Sequence, residues 1–286
     1  MVPWFLPAAL IALFLAIAFG TRPEPLLVLV YHRVDEGPLG PVPSVTTREF
    51  ARQVDYLHRA GYQSITPSAL HGHFREGRPL PGRAVLFTFD DGLANTYTNA
   101  WPILRAYGYV AAVFVVTGRI GRPGYLTAAQ LRQLAAEGWE IGAHTVTHPH
   151  LPDLAPEKAW REIEGSRAAL ARLLGRPVES FAYPYGDLDP SVEAQVKKAG
   201  FKIAFGTRIG VPKADGDLYS LERITIPRHG GLFLLRLATT PQFNLARRLL
   251  ARLAATRGAL RIQAAYSRRL WRRRPRFLHL PLPRGS

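Results

Sequence analysis

From Leu26 onward the chain alternates short, wholly apolar runs with longer stretches in which apolar residues recur every three or four positions. The first kind suits strands buried on both faces of a parallel sheet, and the second suits helices that turn one face inward. On this reading strands fall at Leu26–Tyr31, Gln63–Ile65, Ala84–Phe89, Val110–Thr117, Trp139–Ala143, Ser180–Tyr183, Ile203–Phe205 and Ile224–Ile226. Helices run from Thr47 to Ala60, from Pro67, through Trp101 to Tyr107, from Thr127 to Glu137, from Pro156 to Leu174 and from Ser191 to Ala199. Thr47 and Thr127 are the residue type that caps a helix start, and Gly61 and Gly200 stop the helices before them. Such alternation predicts a parallel sheet with helices outside, most simply a closed or nearly closed barrel, with a doubly wound open sheet as the alternative. No G-x-G-x-x-G or Walker A pattern is present, so a nucleotide-binding fold finds no support.

The two ends depart from this pattern. Residues 4–19 form an uncharged apolar run. As a helix it would span roughly 24 Å, somewhat less than a hydrocarbon core of ~30 Å. A signal peptide or an N-terminal membrane anchor is the natural reading, and Ala16-Ile17-Ala18 resembles a small-x-small cleavage site. Residues 1–22 are therefore set apart from a catalytic domain over 23–240. Beyond it, residues 241–286 read as a basic, amphipathic helical tail, with Leu245, Leu249, Leu253 and Leu260 separated by arginines. Eleven arginines and no acid lie within 246–276, so of a net charge of +16 the rest of the chain carries only +16 − 11 = +5. The leading expectation is a membrane-surface helix beside anionic lipid. No nucleic-acid motif accompanies the charge, and no nucleic-acid partner is expected. There are no cysteines, which excludes disulfides, thiolate metal sites and a cysteine nucleophile.

Candidate chemistry sits at two strand ends. Asp90-Asp91-Gly92 closes the run Ala84–Phe89, and His144-Thr145-Val146-Thr147-His148 follows Trp139–Ala143. In a parallel barrel the C-terminal strand ends share one rim, so the two groups face a common site. Adjacent carboxylates are tolerated where a cation is shared or where one must act as a base. Because Pro149 follows and β-branched residues intervene, the histidines are expected in a loop or single turn rather than on a helix. One carboxylate and two neutral imidazoles suit Zn²⁺, Co²⁺ or Ni²⁺, and the second aspartate is then free to take a proton from water. That assembly hydrolyses a carbonyl compound.

These residues resemble the motifs of the NodB-type polysaccharide deacetylases, carbohydrate esterase family 4. Thr88-Phe89-Asp90-Asp91-Gly92 is similar to the family's first motif, His144-Thr145 with His148 to its second, and Pro184-Tyr185 to the end of its third. The resemblance spans roughly residues 26–226 and implies a distorted, TIM-like (β/α)7 barrel. It implies Asp90 as base, Asp91, His144 and His148 as metal ligands, and the Tyr185 backbone N–H as an oxyanion donor. Two departures stand out. Where the family commonly places an arginine that orients the base, this chain has Ala182, and Arg223 is a replacement with little support from sequence. The family's late Leu-x-His has only Ile226-Pro227-Arg228-His229 as a counterpart. Both gaps resemble the subgroup acting on poly-β-1,6-N-acetylglucosamine, in which an early Tyr-His pair supplies the general acid. Tyr31-His32 occupies that place, so His32 is favoured over His229 as acid. His58, His71, His73, His150 and His279 read as bystanders, Trp101 and Trp160 as core, and Tyr183 and Tyr185 as candidates for stacking on a sugar.

The resemblance implies a metal-dependent hydrolase that removes N-acetyl groups from an N-acetylglucosamine polysaccharide, in the cell envelope, either membrane-anchored or secreted. An O-acetyl esterase on xylan or peptidoglycan, and a catalytically silent carbohydrate-binding or membrane scaffold, are the alternatives.

Overall fold

The structure, a computed structural model, describes residues 26–37, 43–210, 212 and 216–240. The apolar run at 4–19 and the tail at 241–286 lie outside the described residues. The strands are β1 (Leu26–Tyr31), β2 (Arg33–Val34), β3 (Ser44–Val45), β4 (Gln63–Ser64), β5 (Ala84–Phe89), β6 (Ala112–Val115), β7 (Glu140–Ala143), β8 (Ser180–Ala182), β9 (Ile203–Phe205) and β10 (Ile224–Thr225). The α-helices are α1 (Thr47–Arg59), α2 (Pro67–Glu76), α3 (Trp101–Ala106), α4 (Ala128–Ala136), α5 (Pro156–Leu174), α6 (Pro190–Lys198) and α7 (Gly231–Ala238). Among the described residues no helix is long and apolar enough to cross a membrane.

The main sheet runs β10-β1-β5-β6-β7-β8-β9, with every pairing parallel and β4 beside the start of β5. The ring then closes. The Leu221 N–H donates to Ala204 O and the Gly206 N–H to Leu221 O, each at 3.0 Å, and the Arg223 N–H donates to Arg208 O at 2.9 Å. Residues 221–223 thus tie β9 to β10, giving a distorted (β/α)7 barrel and removing the open-sheet alternative. Every residue of β1, β5 and β6 is buried, as strands covered on both faces require. Helix α1 presents Phe50, Val54 and Leu57 to the sheet at the spacing of one helical face. Its cap is Thr46, one residue earlier than the sequence suggests, while Thr127 caps α4 in a full capping box with Gln130.

Strands β2 and β3 and helix α7 escaped the pattern reading, and one anticipated strand is shortened. β6 is shorter than Val110–Thr117, because the chain on either side of it is drawn into loop hydrogen bonds: the Val110 N–H donates to Ser64 Oγ and the Thr117 N–H to Thr145 O. Helix α7, Gly-Leu-Phe-Leu-Leu-Arg-Leu-Ala, has a single charged residue and lies beyond the last strand read from the sequence. It packs against α1, where its Leu232 N–H donates to Glu49 Oε1 at 3.1 Å.

The barrel interior is filled by rings. Phe114 lies opposite Gly142 in register, and its ring occupies the space a side chain at 142 would need. A Cβ built there would lie 2.5 Å from the Phe114 ring and 2.8 Å from Ser180 Oγ. Phe114 and Phe205 face each other at 5.4 Å between centroids, and the guanidinium of Arg223 sits 5.8 Å from each ring. Gly142→Ala is expected to destabilise the fold by ~1–3 kcal/mol through overpacking, read as a lower denaturation midpoint with unchanged m-value.

Candidate active site

The strand ends bring Asp90 and Asp91 (after β5), His144 and His148 (after β7) and Tyr185 (after β8) to one rim of the barrel, with His32 directly after β1. One ligand atom from each of Asp91, His144 and His148 lies within 4.8 Å of the others. His148 Nε2 is 3.2 Å and His144 Nε2 3.6 Å from the same Asp91 oxygen, Oδ1. His144 Nδ1 is 2.7 Å from Ala182 O, and since a carbonyl only accepts, Nδ1 carries the proton and Nε2 presents a lone pair. Burial pushes the His144 imidazole down to about 4, against the pull of Asp90, so it is neutral near pH 7. Asp91 Oδ1 is buried without a hydrogen-bond partner. Burial alone would raise the Asp91 carboxyl, but His148, His144 and His32 beside it hold it below the usual carboxylate range. An ionised oxygen facing an imidazole lone pair is a repulsive arrangement that a cation between them relieves. The donor set fits a divalent ion such as Zn²⁺, with Co²⁺ and Ni²⁺ accepting the same ligands.

Asp90 is placed differently. Arg223 grips it through two parallel bonds, from one guanidinium nitrogen to Oδ1 at 2.8 Å and from the other to Oδ2 at 2.7 Å. The same guanidinium donates to Thr88 Oγ1 at 3.1 Å and through Nε to Gly206 O at 2.9 Å, and Thr88 donates onward to Leu29 O at 2.8 Å. Both charges are almost fully enclosed, Arg223 at 0% exposure and Asp90 at 2%. Burial would raise the Asp90 carboxyl, while Arg223, then His144 and His32, pull it below its ordinary value, so it stays ionised. Arg223 therefore stands where Ala182 leaves the usual arginine missing. The Ala182 backbone has its own part, since its carbonyl orients His144.

The histidine loop owes its shape to Glu162 on α5. This carboxylate accepts the N–H groups of Val146 and Thr147 at 2.8 Å each and the Thr147 hydroxyl at 2.7 Å. From the other side, Thr117 and Gly118 N–H groups donate to Thr145 O and Val146 O at 3.1 and 2.9 Å. Between these holds, Thr145 and His148 take left-handed backbone angles, φ 68° and 69°. Asp91 (φ 74°) and Tyr185 (φ 60°) do the same, so all four non-glycine residues with positive φ among the described residues are in this site.

Tyr185 stands edge-on to His148 at 4.5 Å and is stacked against the ring of His150 at 3.9 Å and 11°. His150 Nδ1 lies 2.6 Å from Asp187 Oδ2. His150 is thus part of the wall of the site and not the bystander its loop position suggested. Tyr183 is fully buried and cannot stack on a sugar, and one face of Tyr185 is already covered. His229 is exposed, whereas His32 acts electrostatically on both Asp90 and Asp91. His58, His71 and His73 sit on helices remote from this rim, and His279 lies outside the described residues.

Residues 77–204 match the family described as polysaccharide deacetylase. The putative polysaccharide deacetylase YxkH of Bacillus subtilis is 29% identical over 205 residues, 72% of each chain. The poly-β-1,6-N-acetyl-D-glucosamine N-deacetylase of Staphylococcus aureus is 26% identical over 197 residues, 64% of this chain and 68% of its own. The solved Streptococcus pyogenes deacetylase PplD, in complex with acetate, superposes with a TM-score of 0.71 at 26% identity, covering 77% of this chain and all of that one.

Glu162→Ala is expected to weaken divalent-metal binding by ~10- to 100-fold, as loss of a group supporting the ligands does, measured by competition with a chromogenic chelator. An unchanged affinity would remove Glu162 from the site.

Proposed function

We propose that this chain, which carries a polysaccharide deacetylase domain, hydrolyses N-acetyl groups on an N-acetylglucosamine polymer, releasing acetate and leaving a free amine. The observation that carries this reading is the pairing, at one rim, of a three-residue metal cradle with a separately held, ionised aspartate. A relative that acts on the β-1,6-linked polymer supports that substrate class.

Asp91, His144 and His148 would hold the divalent ion. When bound, such an ion supplies a Lewis acid for the acyl carbonyl and lowers the pKa of water beside it. The chain's own groups do the rest. Asp90 takes the proton of the attacking water, and the two-point grip of Arg223 fixes the direction in which its remaining lone pairs face. The Tyr185 N–H, in a loop pinned by Gly186 N–H to Tyr183 O at 2.9 Å and by the Thr207 hydroxyl to Tyr185 O at 3.3 Å, donates to the negative oxygen of the tetrahedral species. As the C–N bond breaks, His32 gives its proton to the departing nitrogen. The silent-scaffold alternative rested on the missing arginine and the displaced acid, and Arg223 and His32 supply the two groups.

Purified protein is expected to release acetate from β-1,6-linked N-acetylglucosamine oligomers, to lose this activity with a chelator, and to regain it with Zn²⁺, Co²⁺ or Ni²⁺. No release under any of these metals from β-1,6- or β-1,4-linked oligomers would sink the reading. For His32→Ala, kcat should fall by ~10²- to 10⁴-fold with metal content unchanged. Near-normal turnover would refute its part as acid.

A further inference from the structure

We propose that the N-terminal end of the barrel, together with the outer face of α7, docks on an anionic lipid bilayer, so that the rim bearing Asp90 and His144 faces away from the membrane. This rests on where the described chain enters and leaves the barrel, independently of the substrate.

All strands of the main sheet are parallel, so one end of the barrel gathers their N-termini and the other their C-termini. Leu26, where the described chain begins, pairs with Ala84 at the start of β5, and Gln63 pairs with that same residue. Leu26 and Gln63 therefore mark one level, at the end opposite the active rim. Helix α1 leaves the rim after β1 and delivers the chain to Gln63, so it runs from rim to base. Helix α7 lies alongside α1 in the same direction: its Leu232 N–H bonds to Glu49 in the first turn of α1, and Thr239 bonds to Tyr56 in its last turns at 3.0 Å. The chain thus leaves the described domain at Thr240, again at the base.

Both segments that continue from the base have membrane chemistry in their sequence. The uncharged run at 4–19 is joined to Leu26 through only six residues, Gly20 to Pro25. Even fully extended, those six reach no more than about 20 Å. The other segment holds eleven arginines without an acid over 246–276. Each arginine close to an anionic leaflet strengthens partitioning by about fivefold. Helix α7 leads to that exit with an exposed apolar stripe, Phe233 at 73% and Leu237 at 41% exposure, four residues apart on one face. Apolar stripe and basic run together match an anionic lipid surface, with rings and leucines entering the interface and guanidinium groups at the headgroups.

The absence of cysteine makes the test clean. Full-length Gln63→Cys and Arg122→Cys, at exposed positions on the base and on the rim-side loop after β6, are each labelled with one fluorophore. The labelled proteins are mixed with vesicles of phosphatidylcholine, alone or with phosphatidylglycerol, carrying a headgroup quencher. Quenching is expected to be severalfold stronger at 63 than at 122. It should be stronger on anionic than on neutral vesicles, and reduced when Arg272, Arg273 and Arg274 are changed to Ser or when Phe233→Ser and Leu237→Ser are combined. Equal quenching at the two sites, or stronger quenching at 122, overturns the orientation. Equal binding to neutral and anionic vesicles overturns the lipid assignment, as does failure of both sets of substitutions to alter it.

Discussion

The bond pair between Arg223 and Asp90 is the constraint around which the site is organised. Two opposite charges are buried together, Arg223 against the rings of Phe114 and Phe205 and Asp90 against Arg223, where neither would be tolerated alone. Their pairing is two-point, and two more bonds, to Thr88 and Gly206, engage further donors of the guanidinium. Removing either partner would leave the other charge buried and unmatched, a loss of ~3–5 kcal/mol in comparable pairs. The network also joins distant strands. Through Thr88 it touches β1 and β5, and through Gly206 the end of β9, so the group that holds Asp90 also helps hold the ring shut.

Around that fixed pair the ligand loops are strained. Four non-glycine residues adopt left-handed backbones, each at a cost of ~1–3 kcal/mol. Glu162 offsets much of this at the histidine loop, since hydrogen bonds to a charged acceptor contribute ~1.5–3 kcal/mol each and it accepts three. The result is a loop that is neither helix nor strand yet aims His144 and His148 at one carboxylate oxygen. A helix would have brought both imidazoles to one face by periodicity alone. Here the same end is reached by anchoring the intervening backbone from both sides.

What was legible in the sequence follows from this physics. The aspartate and histidine pairs could be placed because strand ends of a parallel barrel share a rim, whatever the details of the loops. The barrel itself followed from fully apolar strands separated by one-sided helices. Arg223 was nearly silent because its partner is 133 residues away and its neighbours, Glu222 and Ile224, look like any strand entry. Glu162 reads as one more polar position on a long helix, and only the folded loop shows what it holds. Tyr183 and His150 exchanged roles: the aromatic of the third motif went into the core, and the loop imidazole became a wall. The sequence marks which residues carry chemistry far better than which ones keep them in place.

The late position of Arg223 has a consequence for the chain as it is made. Asp91, His144 and His148 have all been synthesised by residue 148, whereas the counter-charge of Asp90 arrives only with Arg223, at the entry to β10. Until then Asp90 lacks the guanidinium that, in the closed ring, offsets the cost of burying its charge. The candidate ion cradle is thus separated along the chain from the group that keeps Asp90 ionised by 223 − 148 = 75 residues.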